Sequence, residues 1–135
     1  KSNTALKNIH VLLVEDNLVN QMVAKELLVA LGATVTIAEN GKVALGLLDT
    51  MYCDVVLMDI QMPVMDGLTA AKKIREMPQF ARLPIIAMTA HARAEDKIAS
   101  ISAGIDLHIS KPVSSALLVQ SIASTIALKN NFSSE

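Results

Sequence analysis

The sequence contains a single cysteine, Cys53, so no disulfide can form within the chain. It has no apolar run close to the ~18 residues that a membrane-spanning helix needs, and no signal peptide at its start. Its 12 Lys and Arg nearly balance its 13 Asp and Glu, so no overall field attracts nucleic acid or an anionic membrane. These absences exclude a disulfide-rich secreted domain and predict a cytoplasmic protein in which Cys53 fills apolar space.

The length of 135 residues suits one domain that buries roughly two thirds of its unfolded surface. No internal repeat and no low-complexity segment interrupts it. The chain begins with Lys1 rather than Met, and both ends are polar. We therefore expect a piece of a longer protein, with a linker at residues 1–8, a folded domain at 9–128 and a tail at 129–135.

Short apolar runs rich in β-branched residues alternate with segments of helical period. The runs predict five strands, at residues 10–15, 34–38, 54–59, 84–89 and 107–110. The segments between and after them predict helices at 17–31, 40–49, 66–77, 94–103 and from Pro112 to about Leu128. Buried strands separated by helices predict a parallel sheet covered on both faces, a three-layer α/β sandwich.

Polar side chains stand where four of the five predicted strands end. Glu15 and Asp16 close the first strand, Asp59 the third and Thr89 the fourth, and Lys111 follows the fifth. Open α/β sheets bind ligands outside the carboxyl ends of their strands. This edge is therefore the predicted functional site.

The charges at this edge indicate a metal and a phosphoryl group. Clustered carboxylates need a compensating cation, and Lys111 supplies one positive charge. An all-oxygen site without nearby His or Cys suits Mg²⁺, which leaves room for phosphate oxygens. Asp59, with Thr89 and Lys111 around it, is then a candidate nucleophile toward phosphorus, forming an aspartyl phosphate.

The segments VLLVEDN, VVLMDIQMPVMDG, IIAMTA and SKP, in this order and spacing, resemble the response-regulator receiver domain of two-component signalling across residues 10–128. The resemblance implies a flavodoxin-like α/β fold, with a five-stranded parallel sheet in the order 2-1-3-4-5 and five helices. It implies that Asp59 accepts a phosphoryl group from a phosphohistidine. The expected partners are the dimerisation domain of a histidine kinase or a histidine phosphotransfer domain.

The resemblance also implies roles for individual residues. The Mg²⁺ ligands would be the carboxylates of Glu15, Asp16 and Asp59 and the backbone carbonyl of Gln61. Thr89 and Lys111 would bind the phosphoryl group, and the Lys111–Pro112 peptide bond would be cis. The family couples movement at the Thr89 position to an aromatic residue three positions before the Lys. This chain has His108 there, which suggests a switch that depends on pH between roughly 5.5 and 7.5.

The first predicted helix carries two apolar stripes. The stripe expected to face the sheet consists of Val23, Ala24, Leu27, Leu28 and Leu31. A second stripe of Leu18, Met22 and Val29 lies on roughly the opposite side, where a solvated helix normally carries charge. An apolar patch beside the site suits a partner, and the family docks the phosphohistidine bundle there. We expect these three residues and Pro112 to form the docking surface, although scattered exposed apolar residues are also common.

Each of these residues also has an interpretation in which it serves only the structure. Glu15 and Asp16 could favour a helix N-terminus, Asp59 could cap a loop, and Thr89 and Lys111 could be an ordinary strand residue and a surface amine. In the loop after Asp59, packing and turn formation explain Met62, Pro63, Met65 and Gly67. His91 could tune the lifetime of the phosphoryl group or be a solvated loop residue.

Three classes of function remain in view. A phosphorylatable signalling domain that catalyses its own phosphorylation and dephosphorylation fits all the residues above. A phosphohydrolase acting through an aspartyl phosphate would need a second acid near the nucleophile and a cap over the substrate, and the sequence offers neither. In an interaction module independent of phosphorylation, Asp59, Asp16 or Lys111 would be expected to be replaced, and none of them is. For the parent protein, a hybrid histidine kinase is favoured over a stand-alone regulator, because VEDNLVNQMVA, MDIQMPVMDG and PIIAMTAHA resemble that subgroup. This domain is expected to be cytoplasmic, whether or not such a kinase is membrane-bound.

Overall fold

The computed structural model describes residues 5–60, 67–89, 94–111 and 113–133, with side chains omitted for 94–97 and 130–133. Within these ranges, strands and helices alternate along the chain. They are β1 (His10–Val14), α1 (Leu18–Ala30), β2 (Thr34–Ala38), α2 (Gly41–Leu48), β3 (Val55–Asp59), α3 (Gly67–Glu76), β4 (Ile85–Thr89), α4 (Ala94–Ser102), β5 (Leu107–Ser110) and α5 (Ser115–Ser133).

The five strands form one parallel sheet in the order β2-β1-β3-β4-β5, which confirms the predicted topology. Strand β1 lies between β2 and β3, and its last residue, Val14, pairs with Ala38 of β2 and Met58 of β3. Strands β3 and β4 are buried along their whole length, as apolar strands covered on both faces must be. The carboxyl ends of all five strands therefore meet at one edge.

Two apolar clusters fill the spaces above and below the sheet. On one face, α1 and α5 pack against the strands through Ala24, Leu28, Leu118 and Ile122. On the other face, α2 and α3 contribute a second cluster, which also takes in Ala103 and Ile105 after α4. The predicted three-layer arrangement is confirmed, and Cys53 is buried in the second cluster as expected.

Local signals in the sequence mark several helix ends. The side chains of Asn17 and Asn40 accept hydrogen bonds from the backbone N–H groups of Asn20 and Val43, capping α1 and α2. After α1 and α4, Gly32 and Gly104 adopt a φ of 98°, a left-handed conformation that favours glycine. These caps explain why the predicted ends of α1 and α4 lie within a residue or two of the observed ones.

A cluster of polar contacts joins several elements at the edge of the sheet opposite Asp59. The guanidinium of Arg75, at the end of α3, donates to Asp106 (3.0 Å), the carbonyl of Phe80 (2.8 Å) and the carbonyl of Gly104 (2.9 Å). The carboxylate of Asp106 also accepts from the N–H of Ile85 (2.9 Å) and pairs with Lys129 of α5 (2.9 Å). Asp106 thus fastens α3, β4 and α5 to the start of β5.

The structure differs from the sequence prediction in three places. A short 3₁₀ helix, Pro78–Phe80, follows α3. Helix α5 runs from Ser115 to Ser133, past the predicted end near Leu128. Leu6, in the segment expected to be a linker, is fully buried, and its N–H donates to the carbonyl of Leu31 at 2.8 Å. In the described part of the chain, no helix is both long and apolar enough to cross a membrane.

Candidate functional site

Three carboxylates meet at the carboxyl edge of the sheet. Glu15, directly after β1, and Asp59, the last residue of β3, are buried, whereas Asp16 is exposed. One oxygen from each carboxylate lies within 4.8 Å of the other two. The parallel pairing of β1 with β3 places these residues side by side: Val14 stands opposite Met58, Glu15 and Asp59 follow these two residues directly, and Asp16 comes next.

Lys111 brings a positive charge to these carboxylates. Its Nζ lies 2.9 Å from Oε1 of Glu15 and 3.2 Å from Oδ2 of Asp59. Its backbone N–H donates to the carbonyl of Thr89 (2.8 Å), which fixes the start of the segment after β5 against the end of β4. Thr89 is buried at this same edge. The structure therefore brings together Glu15, Asp16, Asp59, Thr89 and Lys111.

The surroundings of Glu15 and Lys111 alter the pKa of each of these two groups. Burial raises the pKa of Glu15 above its ordinary value, and the negative charge of Asp59 raises it further, although Lys111 opposes both effects. Burial alone would lower the pKa of Lys111, but its contacts with Glu15 and Asp59 outweigh this, so its pKa is raised. Lys111 therefore remains an ammonium group at neutral pH and compensates part of the acidic charge.

The remaining charge suits a divalent cation. The three carboxylates and Lys111 carry formal charges of −3 and +1, a sum of −2. Opposite oxygens around Mg²⁺ are about 4.2 Å apart, given bond lengths of 2.0–2.1 Å. Neighbouring oxygens in the same octahedron are only about 2.9 Å apart, so carboxylate oxygens within 4.8 Å of one another would have to move closer together to ligate one ion. The donor set of carboxylate oxygens also fits a hard cation.

A glycine allows α3 to begin close to Asp59. A Cβ at Gly67 would lie 2.6 Å from Cα of Ile60 and 2.8 Å from the carbonyl oxygen of Asp59. Both contacts are with backbone, which cannot move aside without displacing the end of β3. Gly67 thus shapes this approach, as predicted.

Sequence reasoning missed two residues that support the acidic turn between β1 and α1. The N–H of Asn17 donates to Oε2 of Glu15 at 3.2 Å. The side-chain amide of Gln21 donates to the carbonyl of Glu15 at 2.7 Å, and Gln21 is buried. A polar residue between apolar positions of a sheet-facing stripe was the available signal for Gln21.

Several predicted site residues lie outside the described part of the chain. Among them are the proposed metal ligand Gln61 and the docking residue Pro112 with its cis bond; the others are Met62, Pro63, Met65 and His91. Their predicted roles stay predictions.

His108 lies half-buried in β5, opposite Ala87 of β4. It lines a cavity of about 220 Å³ together with Ser100, Ile101 and Ile105. The side chain therefore lies on the α4 side of the sheet, whereas its neighbour Ile109 packs with α1 and α5. Its role as a pH-dependent switch stays a prediction.

The exposed face of α1 carries large apolar side chains beside the polar Asn20, Lys25 and Glu26. Leu18, Met22 and Val29 are 74%, 61% and 52% exposed, which confirms their predicted exposure. The placement of Val23 on the sheet-facing stripe is wrong, because it is half exposed; the buried side of α1 is centred on Gln21, Ala24 and Leu28.

Two hollows flank this helix. One of about 470 Å³ lies beside the acids, between α1 and the segment after β5, and is lined by Val23, Ala24, Met88 and Val113 with Glu15 and Lys111 on its wall. A second of about 480 Å³ lies along Met22, Lys25, Glu26 and Val29.

Comparison with known proteins identifies relatives of the whole domain. Residues 11–123 match the family model described as the response regulator receiver domain. The chain is 41% identical over 123 residues to hybrid signal transduction histidine kinase I of Dictyostelium discoideum, covering 86% of the chain. It is 39% identical over 125 residues to the sensor histidine kinase GacS of Pseudomonas protegens, covering 89% of the chain.

A solved structure is similar over almost its full length. The receiver domain of the sensor histidine kinase PA1611 from Pseudomonas aeruginosa, with a magnesium ion coordinated in its active-site cleft, is 37% identical and superposes with a TM-score of 0.82. The match covers 88% of this chain and 98% of that one. By contrast, the chain spans 7% of the length of the Dictyostelium kinase and 14% of that of GacS.

Proposed function

Because the chain belongs to the response regulator receiver domain family, we propose that Asp59 is its phosphoacceptor and that Glu15 and Asp16 hold Mg²⁺ beside it. The single observation that carries the proposal is the setting of Asp59. Its carboxylate ends a buried strand, 3.2 Å from the ammonium of Lys111 and within 4.8 Å of two further acids. A carboxylate placed only to cap a loop would not need this surrounding charge.

The proposed reaction moves a phosphoryl group from a histidine to the aspartate. A carboxylate oxygen of Asp59 attacks phosphorus, the P–N bond breaks, and the histidine nitrogen keeps the electron pair. Lys111, held at this edge by Glu15, is placed to pair with a phosphoryl oxygen, and Thr89 offers its hydroxyl. Mg²⁺, when bound, neutralises charge on the phosphoryl oxygens. Attack by water on phosphorus later restores the carboxylate and releases phosphate.

The rigid placement of Asp59 supports this role. Strand β3 is buried on both faces and hydrogen-bonded to β1 and β4, so the carboxylate has little freedom at the strand's end. Phosphoryl transfer depends chiefly on positioning and charge neutralisation. A fixed acceptor with a neighbouring ammonium supplies both without a general base.

The proposed partner is a helical bundle that carries the phosphohistidine and docks on α1. Leu18, Met22 and Val29 form an exposed apolar surface that begins next to the acids at Leu18 and continues along α1. The hollow of about 470 Å³ between α1 and Val113 would receive a side chain of the partner next to its histidine. Desolvating such a surface is favourable and would bring the donor to Asp59.

We further propose that the parent protein is a hybrid histidine kinase and that this domain works in its cytoplasmic part. The names of the two histidine kinases similar to this chain support this, since each is matched over more than four fifths of the chain. A stand-alone regulator is the alternative. The domain boundaries at residues 9 and 128 likewise stay a proposal, supported by the family match over 11–123.

Phosphorylation by a small donor tests the assignment of Asp59. With Mg²⁺ and acetyl phosphate, the chain should gain one phosphoryl group in its intact mass, and Asp59→Asn should gain none. The matched control is Asp54→Asn, which changes an aspartate just before β3, at the opposite edge of the sheet. That variant should still be labelled. Persistent labelling of Asp59→Asn would refute the assignment, and continuous turnover of the donor without accumulation would favour a phosphohydrolase.

A further inference from the structure

Gln21 is a buried polar residue on the sheet-facing side of α1. At about 100° per residue, it lies within roughly 20° of Leu28 and 60° of Ala24, both of which pack in the core. A buried amide loses its hydrogen bonds to water, so this position costs free energy unless the amide is bonded within the protein. An apolar residue would fill the same space without that cost.

The amide of Gln21 is bonded to the acidic turn. Its Nε2 donates to the carbonyl of Glu15 at 2.7 Å. The carbonyl can only accept, so the NH₂ group of the side chain, not its oxygen, must face it. The register of β1 with both of its neighbours ends at Val14, so the Glu15 carbonyl lies beyond the paired part of the strand.

This hydrogen bond fixes the plane of the peptide that joins Glu15 to Asp16. The N–H of Glu15 is held by Ala38 (3.0 Å), and its carboxylate accepts from Asn17 (3.2 Å). Gln21 holds the carbonyl, which belongs to the same rigid unit as the N–H of Asp16. The direction in which the exposed Asp16 carboxylate leaves the turn therefore depends on this contact.

Gln21 also connects the turn to the docking surface. It precedes Met22 in the chain and lies nearly one helical turn beyond Leu18. A small rotation of α1 would move the amide relative to the Glu15 carbonyl. The side chain is thus a direct link between the helix and the acids.

We propose that Gln21 is a positioning residue that orients the Glu15–Asp16 peptide for metal binding and so couples α1 to the acidic cluster. This inference rests on the proposed function, since it assumes that the acids bind Mg²⁺. Gln21 does not touch the metal or the phosphoryl group, and it acts through the backbone of Glu15. Residues that orient metal ligands commonly affect affinity tenfold or more when removed.

Calorimetric titration with Mg²⁺ tests the inference on the Gln21→Met variant, which keeps the length of the side chain and removes the donor. The Kd for Mg²⁺ should rise about tenfold. The matched control is Leu28→Val, which loosens the same buried side of α1 without touching Glu15. It should leave the Kd within a factor of two of wild type, after urea denaturation shows both variants to be folded.

A measurement on the wild-type chain keeps the inference testable if Gln21→Met does not fold. In NMR spectra, the side-chain NH₂ signals of Gln21 should shift during Mg²⁺ titration with the same midpoint as the backbone N–H of Asp16. The exposed Gln120 should not respond. Unchanged Gln21 signals at saturating Mg²⁺, or equal Kd values for wild type and Gln21→Met, would overturn the inference and leave the proposed function intact. Failure of wild type to bind Mg²⁺ would overturn both.

Discussion

Replacing Leu18 and Met22 with Ser should slow phosphoryl exchange with a histidine-bearing bundle at least tenfold. Full burial of a Leu or Met side chain stabilises a folded protein or a complex by about 1.5–3 kcal/mol. Leu18 is 74% exposed and Met22 61%, so about 1–2 kcal/mol from each remains available to a partner. A tenfold effect corresponds to about 1.4 kcal/mol, which is less than the free energy available from the two side chains together.

The same exposure predicts a limited effect on folding. The buried parts of the two side chains are worth at most about 1–2 kcal/mol in total, below the 5–15 kcal/mol stability typical of a domain. The double variant should therefore remain folded. Its reaction with acetyl phosphate should stay near normal, because a small donor does not need the docking surface.

The assay compares transfer from a phosphorylated bundle with labelling by acetyl phosphate for the same protein samples. The matched control replaces Ile98 and Ile101, which are 66% and 71% exposed on α4, with Ser. These residues match Leu18 and Met22 in exposure but lie away from α1. Equal loss with both donors would show that the α1 surface supports the fold, and a slowing by the α4 variant alone would place the docking surface there.

Two further predictions concern the acids and the thiol. Asp16→Ala should weaken Mg²⁺ binding, as measured by calorimetry. The urea midpoint of the metal-free chain should stay unchanged or rise, because the substitution relieves repulsion with Glu15 and Asp59. A marked fall in that midpoint would show that Asp16 has a structural role. Burial raises the pKa of Cys53 from 9.0 to about 11, so at pH 8 iodoacetamide should alkylate it in urea but scarcely in the folded chain. Rapid alkylation of the folded chain would contradict this placement.

The sheet could be predicted because its inner strands are buried on both faces and appear in the sequence as short apolar runs. The predicted bounds of the less buried edge strands β2 and β5 also agree with the structure. The acids were also predictable, because a parallel sheet gathers the carboxyl ends of its strands. Their distances depend on strand register, which the sequence does not state.

Residues whose burial depends on distant partners could not be predicted in the same way. Leu6 looked like part of a polar linker, but it packs with the core through Leu31. Gln21 stood outside both the predicted core and the predicted site, but the carbonyl of Glu15 gives its amide a buried partner. Val23 looked buried because a helical stripe is broad, and the sheet covers a narrower part of α1. In each case, contacts with residues distant in the sequence determine whether the side chain is buried.

The hydrogen bonds and ion pairs of Asp106 hold together the edge of the sheet where the strands begin. Arg75, Ile85 and Lys129 all meet this carboxylate, far from the carboxyl ends of the strands where Asp59 lies. A strand held at its amino end moves most readily at its other end, so we expect rearrangements around Thr89 to spread through the loops above the sheet. The end of the domain that carries Arg75 and Lys129 would then stay fixed while the loops at the other end of the sheet rearrange.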